Sequence, residues 1–125
     1  MSKGSLPKSI SHLVETLQVV QFYRRNIPIQ VPKFAVYAML EKPVFDRFIN
    51  REGRRIGLIK LDRYLVPVID PLRADLQDEP NHVLVISQSK GNKFGLFGYP
   101  ADEIITDIEL PFYHKAVRQI VRDFV

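Results

Sequence analysis

The chain has 125 residues, 46% of them apolar and 26% charged, with no cysteine and a net charge of +4. That length supports one domain with a core, and the missing cysteines exclude disulfides, thiolate metal sites and cysteine nucleophiles. No stretch approaches the roughly 20 consecutive apolar residues of a membrane helix, and the segment from Met1 to Ser11 is polar, without the apolar run of a secretory signal. A cytoplasmic protein is expected.

Residues 1–8 contain Gly4 and Pro7 and read as a flexible tail, leaving 9–125 as a single domain. Ile10, Leu13, Val14 and Leu17 recur at helical spacing, and Ser9 is placed to cap a short helix. From Leu17 the run LQVVQFY is rich in β-branched and aromatic residues and reads as a strand. RRN follows as a turn, then IPIQV as a second extended run, where Pro28 suggests an edge or a strand start. FAVYAML, between Pro32 and Pro43, fits helix or strand by pattern alone. The charged run from Asp46 to Arg55, with Gly53, reads as a loop.

RIGLIKL and YLVPVID are the clearest strands, and the short DR connection makes them an antiparallel hairpin. PLRADLQDEPN is a polar connection punctuated by Pro71 and Pro80. HVLVISQ reads as a strand, SKGNK as a turn and FGLFGY as another strand. In the last segment, YHKAVRQIVRDFV, Val117, Ile120, Val121 and Phe124 fall on one helical face, with Lys115, Arg118, Gln119 and Arg122 largely on the other. An amphipathic helix over about 112–125 is expected. Many short strands at close spacing point to an all-β, barrel-like domain with a helix at each end.

Little in the chain suggests catalysis. His12, His82 and His114 have no metal-like spacing, and neither a nucleophile elbow nor a phosphate-binding glycine loop is present. Gly91, Gly95 and Gly98 suit a turn and a strand. Asp102 and Glu103 are adjacent, so their side chains point apart, and no histidine or lysine is placed to complete an acid–base set. No enzymatic activity, cofactor or metal is expected. Arg47, Arg51, Arg54 and Arg55 could meet a phosphate backbone, but Phe48 is the one aromatic residue among them and no stacking series interleaves, so a solvated loop is favoured over a nucleic-acid interface. Phe34, Tyr37 and Met39 exceed what one core face requires. They either fill the core or line a groove that accepts a partner helix.

The segment GLIKLDRYLVPVID, Gly57 to Asp70, resembles the signature hairpin of CheW-like domains, a strand GVINLRG followed by VPVIDL. Gly57, Ile59, Leu61, Val66, Pro67, Val68, Ile69 and Asp70 match it. Upstream, Leu17 to Leu40 is similar to the family's opening strand, turn and V-x-E-V-L segment, with Phe22, Val31, Pro32, Val36 and Leu40 on family positions. Downstream, HVLVISQSKGNKFGLF resembles the family's VVIV strand, glycine turn and GLLVD strand.

The resemblance implies a pair of small SH3-like β-barrels without an active site. It implies an adaptor that couples a chemoreceptor or regulator to a CheA-type histidine kinase in chemotaxis or pilus-motility signal transduction. With the groove argument, it singles out Phe34, Val36, Tyr37, Ala38, Gly57, Asp62 and Arg63 as partner-binding. Some positions depart from the pattern. Asp62 replaces an arginine, Arg63 a glycine, Ala38 an acidic residue and Tyr99 an aspartate. A non-glycine residue at position 63 costs roughly 1 kcal/mol if the backbone there needs positive φ. The chain also stops before the family's last strands, so an incomplete second barrel is expected. Its open edge would be covered by the terminal helix, paired with another chain, or completed by a second copy. The alternative function is a regulatory domain that self-associates through that edge.

Overall fold

The computed structural model describes residues 16–77, 79–90 and 93–124. The expected tail, the helix starting at Ser9 and the turn residues Gly91 and Asn92 lie outside them. The described elements are β1 (Thr16–Arg24), β2 (Ile27–Pro32), a 3-10 turn (Lys33–Ala35), β3 (Val36–Glu41), β4 (Arg47–Arg51) and β5 (Arg54–Leu61). They continue with β6 (Tyr64–Val68), β7 (His82–Lys90), β8 (Lys93–Ala101), β9 (Glu103–Pro111) and the helix α1 (Lys115–Phe124).

The strands form two sheets, one of order β2-β1-β9 and one of order β3-β7-β8-β6-β5-β4. The protein is therefore all-β with a C-terminal helix. The expected barrels are corrected to two open sheets, because β3 ends one sheet and β9 the other without a strand between them. All pairings are antiparallel except β6 with β8, which meet at Val68 and Gly98.

Turn chemistry sets the hairpins. Arg25 and Asn26 both adopt left-handed φ, 52° and 65°, which suits the two-residue turn between β1 and β2. Pro28 sits on β2, an edge strand, where a missing N–H is tolerated. The hairpin from Arg54 to Val68 forms as expected, with Ile59 opposite Val66. Its strain falls on Asp62, at φ 55°, and not on Arg63. Aspartate tolerates that conformation better than most side chains.

The stretch from Asp46 to Arg55 is not a loop. It contains β4, a Glu52-Gly53 turn with φ 52° and 77°, and the start of β5. Phe48 turns inward to the core while Arg47 and Arg51 stay exposed. Charge there marks an edge strand. The strand β9 had no counterpart in the sequence reading. It pairs along β1, from Thr16 opposite Pro111 to Tyr23 opposite Glu103, with a bulge opposite Val20.

Two hydrophobic clusters share one strand. Val83 and Val85 face a cluster with Ile59, Val66, Val68 and Leu76. Leu84 and Ile86 face the other, with Val20, Phe22, Val31, Ala35 and Ala101. All four β7 residues are 0% exposed. A strand buried on both faces reads as a continuous apolar run, as HVLVI does. Leu76, in the polar connection, is also fully buried, and its N–H donates to the Arg55 carbonyl at 2.9 Å.

The helix α1 covers part of the first cluster. Val117 and Ile120 are buried and Phe124 packs against the core, but Val121 is 47% exposed and does not belong to the apolar face. The helix begins at Lys115, later than residue 112, because β9 runs on to Pro111. His114 caps it, with Nδ1 accepting from the Ala116 N–H at 3.0 Å.

A candidate docking cleft between the two sheets

β3 presents alternate residues to opposite sides. Ala38 and Leu40 pack toward the second cluster and Val36 toward the first. Tyr37, at 45% exposure, and Met39, at 51%, point away from the second cluster, and Phe34 on the preceding 3-10 turn is 61% exposed. Beyond β3 lies β9, the edge of the other sheet. Between them run two adjoining hollows of about 410 and 660 Å³, which share Met39 and Thr106 in their walls.

The bulge in β9 lies in the wall of this gap. Asp107 takes a left-handed φ of 64° and, with Thr106, stands opposite Val20 at the floor of the first hollow. The second hollow is lined by Glu41, His82, Asp102 and Glu103 as well as Met39 and Leu40. The cleft thus combines exposed apolar side chains with a mainly acidic rim, to which Lys33 adds one positive charge in the first hollow. Nδ1 of His82 is buried in this wall without a hydrogen-bond partner.

The two carboxylates singled out in sequence behave differently. Asp102 is held by Arg24, whose Nη1 lies 3.1 Å from Oδ1, and by the Arg25 N–H, 2.8 Å from Oδ2. Glu103 is exposed at the cleft. Among the described residues, no group of three or more histidines and carboxylates is gathered as a metal site would require.

Structure divides the expected partner-binding residues. Phe34, Val36, Tyr37 and Ala38 cluster at the β3 edge. Gly57, Asp62 and Arg63 lie on the β5–β6 hairpin, at the far side of the six-stranded sheet. Asp62 and Arg63 are exposed around a hollow of about 340 Å³ with Lys60 and Tyr64. Gly57 is buried, and a Cβ there would collide with the Phe45 ring. It serves packing and offers no surface to a partner. Met39, Thr106 and Asp107 belong to the cleft but were not singled out as partner-binding. The β9 residues could have been found only by recognising that strand.

A larger hollow, about 780 Å³, separates α1 from β2 and β9, with Gln21, Gln30 and Gln119 beside Ile29, Ile108 and Leu110. Its walls hold no nucleophile paired with a base. Among the described residues one titratable group is clearly shifted. Burial, and secondarily the Asp123 carboxylate, push the Tyr99 phenol above its ordinary value of 10.0.

No family model matches this chain, and no curated protein matches it. Among the described residues no helix is long and apolar enough to cross a membrane.

Proposed function

We propose that this protein is a non-enzymatic, cytoplasmic adaptor of the CheW-like kind, which couples a receptor or regulator to a CheA-type histidine kinase. One observation carries the reading: Tyr37 and Met39 stand exposed on a strand edge that faces a second edge across an apolar-floored cleft. Aromatic and methionine side chains in such a setting are the usual anchors of protein recognition. The antiparallel ribbon from Arg54 to Val68, followed by the buried Asp70, also agrees with the family hairpin.

The absence of the acidic residue at Ala38 and the reversed charge at Asp62 argue for altered specificity among receptors and regulators. In this function the protein holds two other proteins in register and transforms nothing itself. The test is retention of the purified chain by immobilised CheA-type kinase and by receptor cytoplasmic segments. The double variant Tyr37→Lys with Met39→Lys is expected to abolish retention while leaving thermal stability unchanged. Failure of the wild-type chain to bind either partner overturns the reading.

A further inference from the structure

The outer face of α1 carries charge of one sign. Val117, Ile120 and Phe124 turn into the protein, so at about 100° per residue Lys115, Arg118 and Arg122 fall together on the opposite side. All three are exposed, and among the described residues none is in an ion pair. The one carboxylate of the helix, Asp123, lies on the flank nearer the protein, beside the Tyr99 phenol, and accepts from Gln119 Nε2 at 3.2 Å. The strand that α1 packs along, β2, contains no charged residue. On the β4–β6 hairpins and in the cleft the charges are mixed: Arg47 lies 2.8 Å from Asp46, Asp62 shares a hollow with Lys60 and Arg63, and Lys33 shares one with Asp107.

The ridge is also flanked by exposed apolar side chains. Phe112 and Tyr113, in the turn that leads into the helix, are 49% and 74% exposed, and Val121 is 47% exposed. Cations in a row beside aromatic rings match the two layers of a bilayer surface, anionic headgroups over an apolar boundary.

We infer that α1 and the turn before it dock the protein on an anionic phospholipid surface. The three cations span roughly 10 Å along the helix and meet lipid phosphates, while Phe112 and Tyr113 enter the headgroup layer. The apolar face of the helix stays inside the protein, so attachment is peripheral and reversible. A phosphate backbone alone, as in a nucleic acid, would use the cations and leave the apolar side chains in water.

The orientation that follows leaves the cleft accessible. α1 runs along β2, and the cleft borders β9, at the other edge of the three-stranded sheet. Glu103 and Asp107 are thereby held away from the anionic surface. The inference does not depend on the adaptor reading, since neither α1 nor the turn before it belongs to the cleft.

Co-sedimentation of the full chain with lipid vesicles tests it. The protein is expected to pellet with phosphatidylcholine vesicles containing about one-third phosphatidylserine, to stay in solution with pure phosphatidylcholine, and to be released by high salt. K115Q/R118Q/R122Q should bind roughly a hundredfold more weakly, about fivefold for each cation removed. F112S/Y113S should weaken binding by the same factor at low and intermediate salt, because it removes an apolar contribution. The control R47Q/R51Q/K60Q removes equal charge from exposed positions on β4 and β5 and should bind nearly as wild type does. Absence of wild-type binding to the anionic vesicles at low salt overturns the inference. So does equal binding to pure phosphatidylcholine, or a loss in the control as large as in the helix variant. Displacement from the vesicles by duplex DNA at equal phosphate concentration would make the ridge a nucleic-acid face and overturn the lipid assignment.

Discussion

Arg24 and Asp70 join the two sheets: Nε of Arg24, at the end of β1, lies 2.9 Å from Oδ2 of Asp70, just past β6. The Asp70 side chain is 0% exposed and that of Arg24 only 12%. The second Asp70 oxygen accepts the Leu72 N–H at 2.8 Å, and the Asp70 carbonyl accepts the Arg73 N–H at 3.0 Å. Arg24 also reaches Asp102, at the corner where the chain passes from β8 to β9. One guanidinium thus ties the end of β1 both to the segment that leaves β6 and to the β8–β9 crossing between the sheets. Replacing Asp70 by alanine leaves a buried cation and an unsatisfied N–H, and should cost about 3 to 5 kcal/mol in urea unfolding. The double replacement of Arg24 and Asp70 by apolar residues should cost less than the sum of the single changes. Strict additivity would show that the pair does not couple the sheets.

Gly57 permits the second cluster to close. The Phe45 ring lies over its Cα and stacks on Phe48 with centroids 5.0 Å apart. Gly57→Ala should destabilise the protein by about 1 to 3 kcal/mol, the cost of overpacking. Adding Phe45→Leu, which withdraws the ring, should recover part of that loss. Thermal melts of the two variants check it, and no effect of the alanine alone would mean that the ring moves aside freely.

The sequence revealed most where local pattern and tertiary role agree. The hairpin around Asp62 was legible because apolar alternation and a two-residue turn both specify it. HVLVI was legible as a strand, though not as the one shared by two cores. β4 was misread because Arg47, Arg51 and Arg54 look like loop composition, and only its place at a sheet edge explains them. β9 was missed because the bulge at Thr106 and Asp107 breaks its alternation. Arg24, Asp70 and Asp102 are separated by 46 and 78 positions in the chain, so no local signal connects them. Of the cleft, the surplus of large apolar residues at Tyr37 and Met39 was readable. Its acidic rim was not, because Glu41, Glu103 and Asp107 meet only after folding. Gly57 passed for a surface residue since a glycine carries no side chain to announce the ring above it.

The helix offers a direct comparison of adjacent residues. Ile120 is 3% exposed and Val121 is 47% exposed. Ile120→Ala should therefore cost about 2 to 4 kcal/mol through lost burial and the cavity left behind. Val121→Ala should stay within about 0.5 kcal/mol. Equal losses in the two variants would place the helix in a different rotation from the one described.

Tyr99 makes stability depend on alkaline pH. Its ring is edge-on to Phe97 at 5.1 Å and stacked with Phe22 at 5.4 Å, inside the first cluster. Burial disfavours the phenolate there, and the Asp123 carboxylate adds a repulsive charge, so the folded phenol titrates above 10.0. The unfolded chain releases this proton at about pH 10. The stabilisation associated with the raised value is thus present below that pH and is lost as pH rises through the folded value. Denaturation midpoints should fall steeply above pH 10 in the wild-type chain. They should fall less in Tyr99→Phe, which has no phenol to ionise. In the folded protein, Asp123→Asn should move the latest part of the tyrosinate absorbance change to lower pH, toward but not as far as the ordinary value, since burial is the larger cause. An alkaline decline identical in wild type and Tyr99→Phe would show that this phenol contributes nothing to the pH dependence.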